Sequence, residues 1–206
     1  DYQHKTHLDG EILTLSYMLA ATRPHTIFRQ TYSNMVNFPV SYTSYDQNTR
    51  ERFTEHTFQI DYVRPFGKHH KIESGTKYIL RNNNSTSLMD YQGTTPDMEN
   101  KFKHNTQVAA AYLSYILTAG KWAARAGLRY EFTHMKASYP DGSNADYHAN
   151  LNDWVPSASL QYKISDGQTL KFSYNTSINR PGIGYLNPAI ISTPTTVSFG
   201  NANLGS

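Results

Sequence analysis

Cysteine is absent from the 206 residues. That excludes a disulfide framework, a thiolate metal site and a thiol nucleophile, and it leaves the redox compartment unread. Long apolar runs are also missing. The longest, Val108 to Gly120, is interrupted by Ser114 and carries Tyr112 and Tyr115, so it falls short of the ~20 apolar residues that a membrane helix requires. The polar start, Asp1 to Gly10, lacks the apolar stretch of a signal peptide. No Gly-x-Ser-x-Gly elbow, His-Glu-x-x-His pair or phosphate-cradling glycine loop occurs, which leaves no catalytic centre and no cofactor to expect. Asp97 and Glu99 lie in polar sequence where a solvated surface is the ordinary explanation. Charge of one sign is not concentrated either: 19 basic and 16 acidic residues leave +3, without the clustered stripe of a nucleic-acid binder. The nine histidines show no ligand spacing. His4 and His7 stand in the polar start, and the neighbours His69 and His70 would face opposite sides of a strand, so no metal site is expected.

What the chain does have is aromatic residues in a polar background. Sixteen tyrosines and 13% aromatics accompany a mean hydropathy of −0.63, a combination suited to strands with one lipid-facing and one wet side. Period-two alternation supports this. Trp122, Ala124, Ala126, Leu128, Tyr130 and Phe132 fall on one face, and Arg125, Gly127, Arg129, Glu131 and Thr133 on the other. A helix over Val108 to Arg129 is the competing reading, weakened by Gly120 and Gly127. The same alternation recurs at Leu13 to Leu19, Phe58 to Tyr62, Ile72 to Leu80, Ala158 to Ile164 and Leu170 to Tyr174.

Connections come in two kinds. Tight turns are expected at Pro65 to Lys68, Thr118 to Lys121 and Ser165 to Gln168, each with a glycine. Longer polar loops are expected at Arg23 to Thr49, Asn82 to Lys101 and Tyr139 to Asn152. Short turns at one end and long loops at the other fit a membrane barrel with its turns in the periplasm. The expected fold is therefore all-β: an antiparallel up-and-down transmembrane β-barrel segment of about seven or eight long strands, with the barrel incomplete. Trp122, Tyr62, Phe66 and Tyr162, near the short turns, are candidates for the periplasmic aromatic girdle.

Family likeness enters with the run Phe172 to Pro181, followed by Leu186-Asn187-Pro188 and by Gly200-Asn201-Ala202-Asn203-Leu204. This resembles the barrel of the TonB-dependent receptors of Bacteroidetes, in which a strand ends in Arg-Pro, a Leu-Asn-Pro follows, and a Gly-Asn-Pro-x-Leu segment leads to the next strand. Ala202 departs from the family's proline. Phe58 to Gly67 and Gly75 to Tyr78 resemble the family's strand, Pro-Phe-Gly turn and return strand. The resemblance implies that residues 1–206 are part of a single outer-membrane β-barrel domain, with the plug domain and C-terminal strands absent. It further implies a receptor or transporter that takes up an unidentified substrate, with outer-membrane lipid, a plug of the same parent chain and the TonB complex as partners.

If the apolar face meets lipid, then Asp61, Lys77, Arg81, Arg125, Arg129, Glu131 and Lys163 point into the lumen and line it. Two other functions remain open. One is a passive, porin-like or structural barrel without energy coupling. The other is a soluble all-β binding module, whose apolar face would pack against a second sheet.

Overall fold

The computed structural model describes residues 1–37, 41–180, 185, 191–192, 197–198, 200–201 and 204. The Leu186-Asn187-Pro188 part of the family motif, together with Pro181, Ala202 and Asn203, lies outside the described residues. Nine strands form one antiparallel sheet: β1 (Tyr2–Lys5), β2 (Ile12–Thr22), β3 (His25–Thr31), β4 (Tyr42–Phe66), β5 (His70–Gly93), β6 (Met98–Ala119), β7 (Trp122–Ser138), β8 (Tyr147–Ser165) and β9 (Gln168–Asn175). A separate antiparallel pair joins β10 (Ile191–Ser192) to β11 (Val197–Ser198). The large sheet is an up-and-down meander with β1 and β9 at its edges, and it does not close on itself.

β2 and β3 are two halves of one strand. Thr22 faces Phe53 and His25 faces Arg50, so the register against β4 is unbroken. The interruption falls at Arg23-Pro24 because proline has no N–H to donate; its carbonyl still accepts the Glu51 N–H at 3.0 Å. The sheet therefore has eight lanes, within the expected seven or eight. Six lanes carry the alternating segments; β6, which holds the apolar run from Val108, and β1, in the polar start, supply the other two. The helical alternative for Val108 to Arg129 is overturned: β6 and β7 meet there in a turn at Gly120, whose φ of 58° favours glycine. Gly67, with φ 63°, does the same between β4 and β5.

The strands are longer, and the far connections shorter, than expected. β4 has 25 residues and β5 24, and the connection from β5 to β6 begins only after Gly93. The loops placed at Arg23 to Thr49, Asn82 to Lys101 and Tyr139 to Asn152 shrink to the residues between β3 and β4, β5 and β6, and β7 and β8. The physical reason is that beyond the membrane both faces of a strand are wet, so the apolar alternation vanishes while pairing continues. Polar cross-strand contacts carry it: the Asn105 amide donates to Asn82 at 2.6 Å, and Gln47 donates to the Ser87 hydroxyl at 3.0 Å.

The two faces differ in burial. The buried Thr57, Thr106, Val108, Ser114, Glu131, Thr133, Met135 and Ala137 all share one face by register, here called inner. The segment after β9 covers part of this face, where Arg180 meets Glu131. On the outer face Phe172 is 68% and Trp154 64% exposed. Among the described residues that apolar surface stands open, with Leu170 at 66% exposure as well.

Candidate functional site

The outer face sets the height of the site. On β7 the apolar row from Trp122 to Phe132 covers about 33 Å of strand, or roughly 25 Å along the membrane normal at a tilt of ~40°. Aromatic residues mark both ends. At the short-turn end Trp122 packs on Tyr162 with ring centroids 4.4 Å apart, Arg64 lies over Phe66 at 5.2 Å, and the Tyr62 hydroxyl donates to Glu11. Tyr115 and His70 form a further hydrogen-bonded pair at this end. At the other end the apolar band is bounded by tyrosines whose hydroxyls reach outward to polar groups: Tyr17 to His56 at 3.0 Å, Tyr78 to Gln107 at 2.9 Å and Tyr130 to Asn152 at 2.7 Å. Rings with an apolar body and a polar tip suit the two membrane interfaces.

All seven residues expected to line the lumen fall on the inner face by register. They do not form one cluster. Near the short turns, Glu73 holds both Lys71 and Arg125, each at 2.8 Å. Lys163 stands at the turn itself, beside the register shift between Lys163 and Ser165, and pairs with Asp166 at 2.7 Å. Midway along the wall, Asp61 accepts the Tyr112 hydroxyl and the Gln59 amide, each at 2.7 Å. Gly75 makes this possible. A Cβ there would stand 2.6 Å from Asp61 Oδ1, the Ile60 carbonyl and a Tyr112 ring carbon, so only hydrogen lets the ring lie across the strand. Arg81 faces Glu55 across the β4–β5 pair and bonds it at 2.5 Å. Lys77 is half-buried in the same wall.

The densest group surrounds Glu131. Register places Glu131 of β7 directly opposite Asp153 of β8, and like charges opposed across a sheet repel. Arg180, in the segment after β9, resolves this by returning over the inner face to bond Glu131, with its Nε 3.7 Å from Asp153. Arg129 holds the same Glu131 carboxylate from its own strand at 2.6 Å. Both carboxylates are nearly buried, at 8% and 12% side-chain exposure. Sequence reading recognised Arg180 only within the Arg-Pro motif; its partners lie on strands that local pattern does not connect to it.

A second group was missed entirely. Tyr32, Tyr42, Tyr45 and Tyr91 pack together where the inner wall rises beyond the membrane, with Tyr42 and Tyr91 centroids 4.7 Å apart and Phe28 6.0 Å from Tyr45. Burial pushes the Tyr42 hydroxyl up to about 12. These residues fell within stretches read as loops; the spacing of Tyr42, Tyr45 and Tyr91 carries no periodic signal until the strands are paired. The described residues contain no cluster of His, Cys, Asp or Glu able to hold a metal ion. His69 lies in the turn before β5 rather than in a strand and bonds the Thr118 carbonyl at 2.7 Å, while His70, the first residue of β5, bonds Tyr115.

The wall is thus a sheet that presents hydrocarbon on its outer face and an ion-paired polar surface on its inner face. No helix among the described residues is long and apolar enough to cross a membrane, which does not bear on crossing by strands. A search of curated proteins finds no match. Among solved structures, the crystal structure of the ferric citrate transporter FecA in the unliganded form is similar, with a TM-score of 0.59 and 12% identity over 80% of this chain and 24% of that chain. At that identity the likeness concerns the fold of the wall, and this chain spans less than two thirds of that structure. A family profile described as "Outer membrane protein beta-barrel family" matches residues 4–206. The apolar band and the reach of that match together make this chain a member of the outer membrane protein beta-barrel family, resident in the outer membrane.

Proposed function

We propose that this chain is the wall of a TonB-dependent outer-membrane receptor of the Bacteroidetes type, a non-enzymatic transporter that takes up a substrate still to be identified. In this reading residues 1–206 are part of a single barrel domain. Asp61, Lys77, Arg81, Arg125, Arg129 and Glu131 line its lumen, and Lys163 stands at the periplasmic rim. A plug domain of the same parent chain sits against the inner face and the TonB complex acts on it. The observation that carries the reading is the Arg180 anchor. Arg180, the arginine of the family's Arg-Pro pair, meets a nearly buried carboxylate pair on the inner wall. Likeness of the wall to that of a ferric citrate transporter supports it.

Planar-bilayer recording of the parent protein tests the proposal. A plugged receptor is electrically silent until a denaturant dislodges the plug, and it binds the periplasmic domain of TonB. Steady ion conductance without denaturant, with no TonB binding, would instead establish a passive porin, which shares the polar inner face.

A further inference from the structure

The lane of β9 ends early. Its last pair sets Asn175 opposite Ser157, whereas β8 runs on outward from Pro156 to Tyr147. Pro156 supplies the reason. The next pair would exchange two backbone bonds between Pro156 and Thr176; the Thr176 N–H reaches the Pro156 carbonyl at 3.4 Å, but proline has no N–H to return. The Thr176 hydroxyl adds a second bond to the same carbonyl at 2.8 Å, and there the chain leaves the sheet. It then crosses the inner face of β8 to reach β7, two strand spacings or about 10 Å from its own lane, where Arg180 bonds Glu131 and stands 3.7 Å from Asp153. Residues 176–180 therefore form a strap over the inner wall. Beyond the strap the chain turns back on itself, the Asn201 N–H donating to the Tyr185 carbonyl at 2.6 Å.

The strap has two sides. Thr176, Ile178 and Arg180 are half-buried, while Ser177 and Asn179 between them are exposed. Alternate residues thus face the wall and the lumen, as in any extended chain. Beneath lies the opposed carboxylate pair, with Glu131 at 8% and Asp153 at 12% side-chain exposure, and Thr133, the next inner residue of β7, is fully buried. Arg180 and Arg129 match the two carboxylates in charge. A solute that passes here meets a hydroxyl and an amide where the bare sheet would present two carboxylates. We propose that residues 176–180 are a constriction of the lumen, in which Ser177 and Asn179 contact passing solute and Arg180 is the positioning residue that holds them there and screens Glu131 and Asp153 from anions. The constriction rests on the barrel alone, and is the same whether transport is active or passive.

The test records the open pore of the parent protein in a planar bilayer, with any plug dislodged by the lowest denaturant concentration that opens it. A single cysteine is placed at Ser177, Asn179 or Ile178, with any thiol elsewhere in the parent replaced, and a cationic thiosulfonate is added. Modification of Ser177→Cys or Asn179→Cys should lower the unit current in one step, whereas Ile178→Cys, facing the wall, should leave it unchanged. Arg180→Ala should raise the unit conductance and shift the reversal potential in a salt gradient toward cation preference, because two carboxylates are left with one guanidinium. Arg180→Lys should recover part of both effects. Adding Glu131→Gln and Asp153→Asn to Arg180→Ala should keep the raised conductance and abolish the shift. An unchanged current after modification at 177 and at 179, or an equal effect at 178, overturns the constriction. Unaltered conductance and selectivity in folded Arg180→Ala overturn the positioning role. Should Arg180→Ala fail to show the heat-shifted mobility of a folded barrel, the cysteine comparison, made with the anchor intact, decides.

Discussion

Replacing Arg180 with alanine is expected to release the segment after β9 from the inner wall while leaving the sheet folded. Two tethers hold that segment: the Arg180 guanidinium on Glu131 and Asp153, and the Thr176 hydroxyl, which donates to the Pro156 carbonyl at 2.8 Å. Loss of the guanidinium leaves Glu131 with Arg129 but strips Asp153 of its cation. Breaking a buried pair costs about 3–5 kcal/mol, and an exposed pair contributes about 0–1 kcal/mol. Arg180 is 27% exposed, between these limits, so the expected cost is about 2 kcal/mol, roughly a thirtyfold rise in the open population. The chain has no cysteine, so Ile178→Cys introduces the sole thiol of this segment, at a half-buried position. Its alkylation by a water-soluble maleimide should run about thirtyfold faster with Arg180→Ala in the same chain. Arg180→Lys should fall between, because a single ammonium cannot span two carboxylates as a guanidinium fork does. Equal alkylation rates with and without Arg180, in folded protein, would refute the anchor.

Gly75→Ala should cost about 1–3 kcal/mol, read as a lowered urea midpoint, because the new Cβ meets the immobile Ile60 carbonyl as well as Tyr112. Gly127→Ala should cost less, since its near neighbours are the hydroxyls of Ser114 and Ser157, which can rotate away. The two tryptophans lie on the outer face toward opposite ends of the apolar band. With Trp122→Phe or Trp154→Phe leaving one emitter, lipids brominated near the head group should quench more strongly than lipids brominated at the chain end. In the β7–β8 tip, the backbone N–H groups of Lys101, at 2.6 Å, and Ser143, at 3.0 Å, hold the Asp141 carboxyl below its usual value. A carboxyl whose folded value is depressed stabilises above its unfolded value, near pH 4, and loses that contribution as pH falls through the folded value. The Lys101 amide resonance should therefore shift as pH drops from about 5 to about 2, and Asp141→Asn should abolish the shift.

Legibility in the sequence followed the membrane. Where one face of a strand meets lipid, as from Trp122 to Phe132, the pattern identifies the strand, its faces and its girdle, and the glycines at 67 and 120 mark the turns. Beyond the band the signal disappears. Thr49, Asn82, Asn105 and Ser87 are turn formers by composition, yet all four lie in paired strands, because a neighbouring strand satisfies their backbone as well as water does. Arg23-Pro24 read as the start of a loop for the same reason, although the strand resumes in register after it.

Period two is a local property, so the chain alone determines which residues share a face: all seven expected lumenal residues lie on the inner side without any knowledge of partners. Burial is not local. One face is crowded, with Glu131 and Thr133 covered, while Trp154 on the other is bare. Charge pairing is not local either. Arg180 reaches a carboxylate 49 residues back in the chain, and that meeting depends on how β7, β8 and the returning segment stack in space.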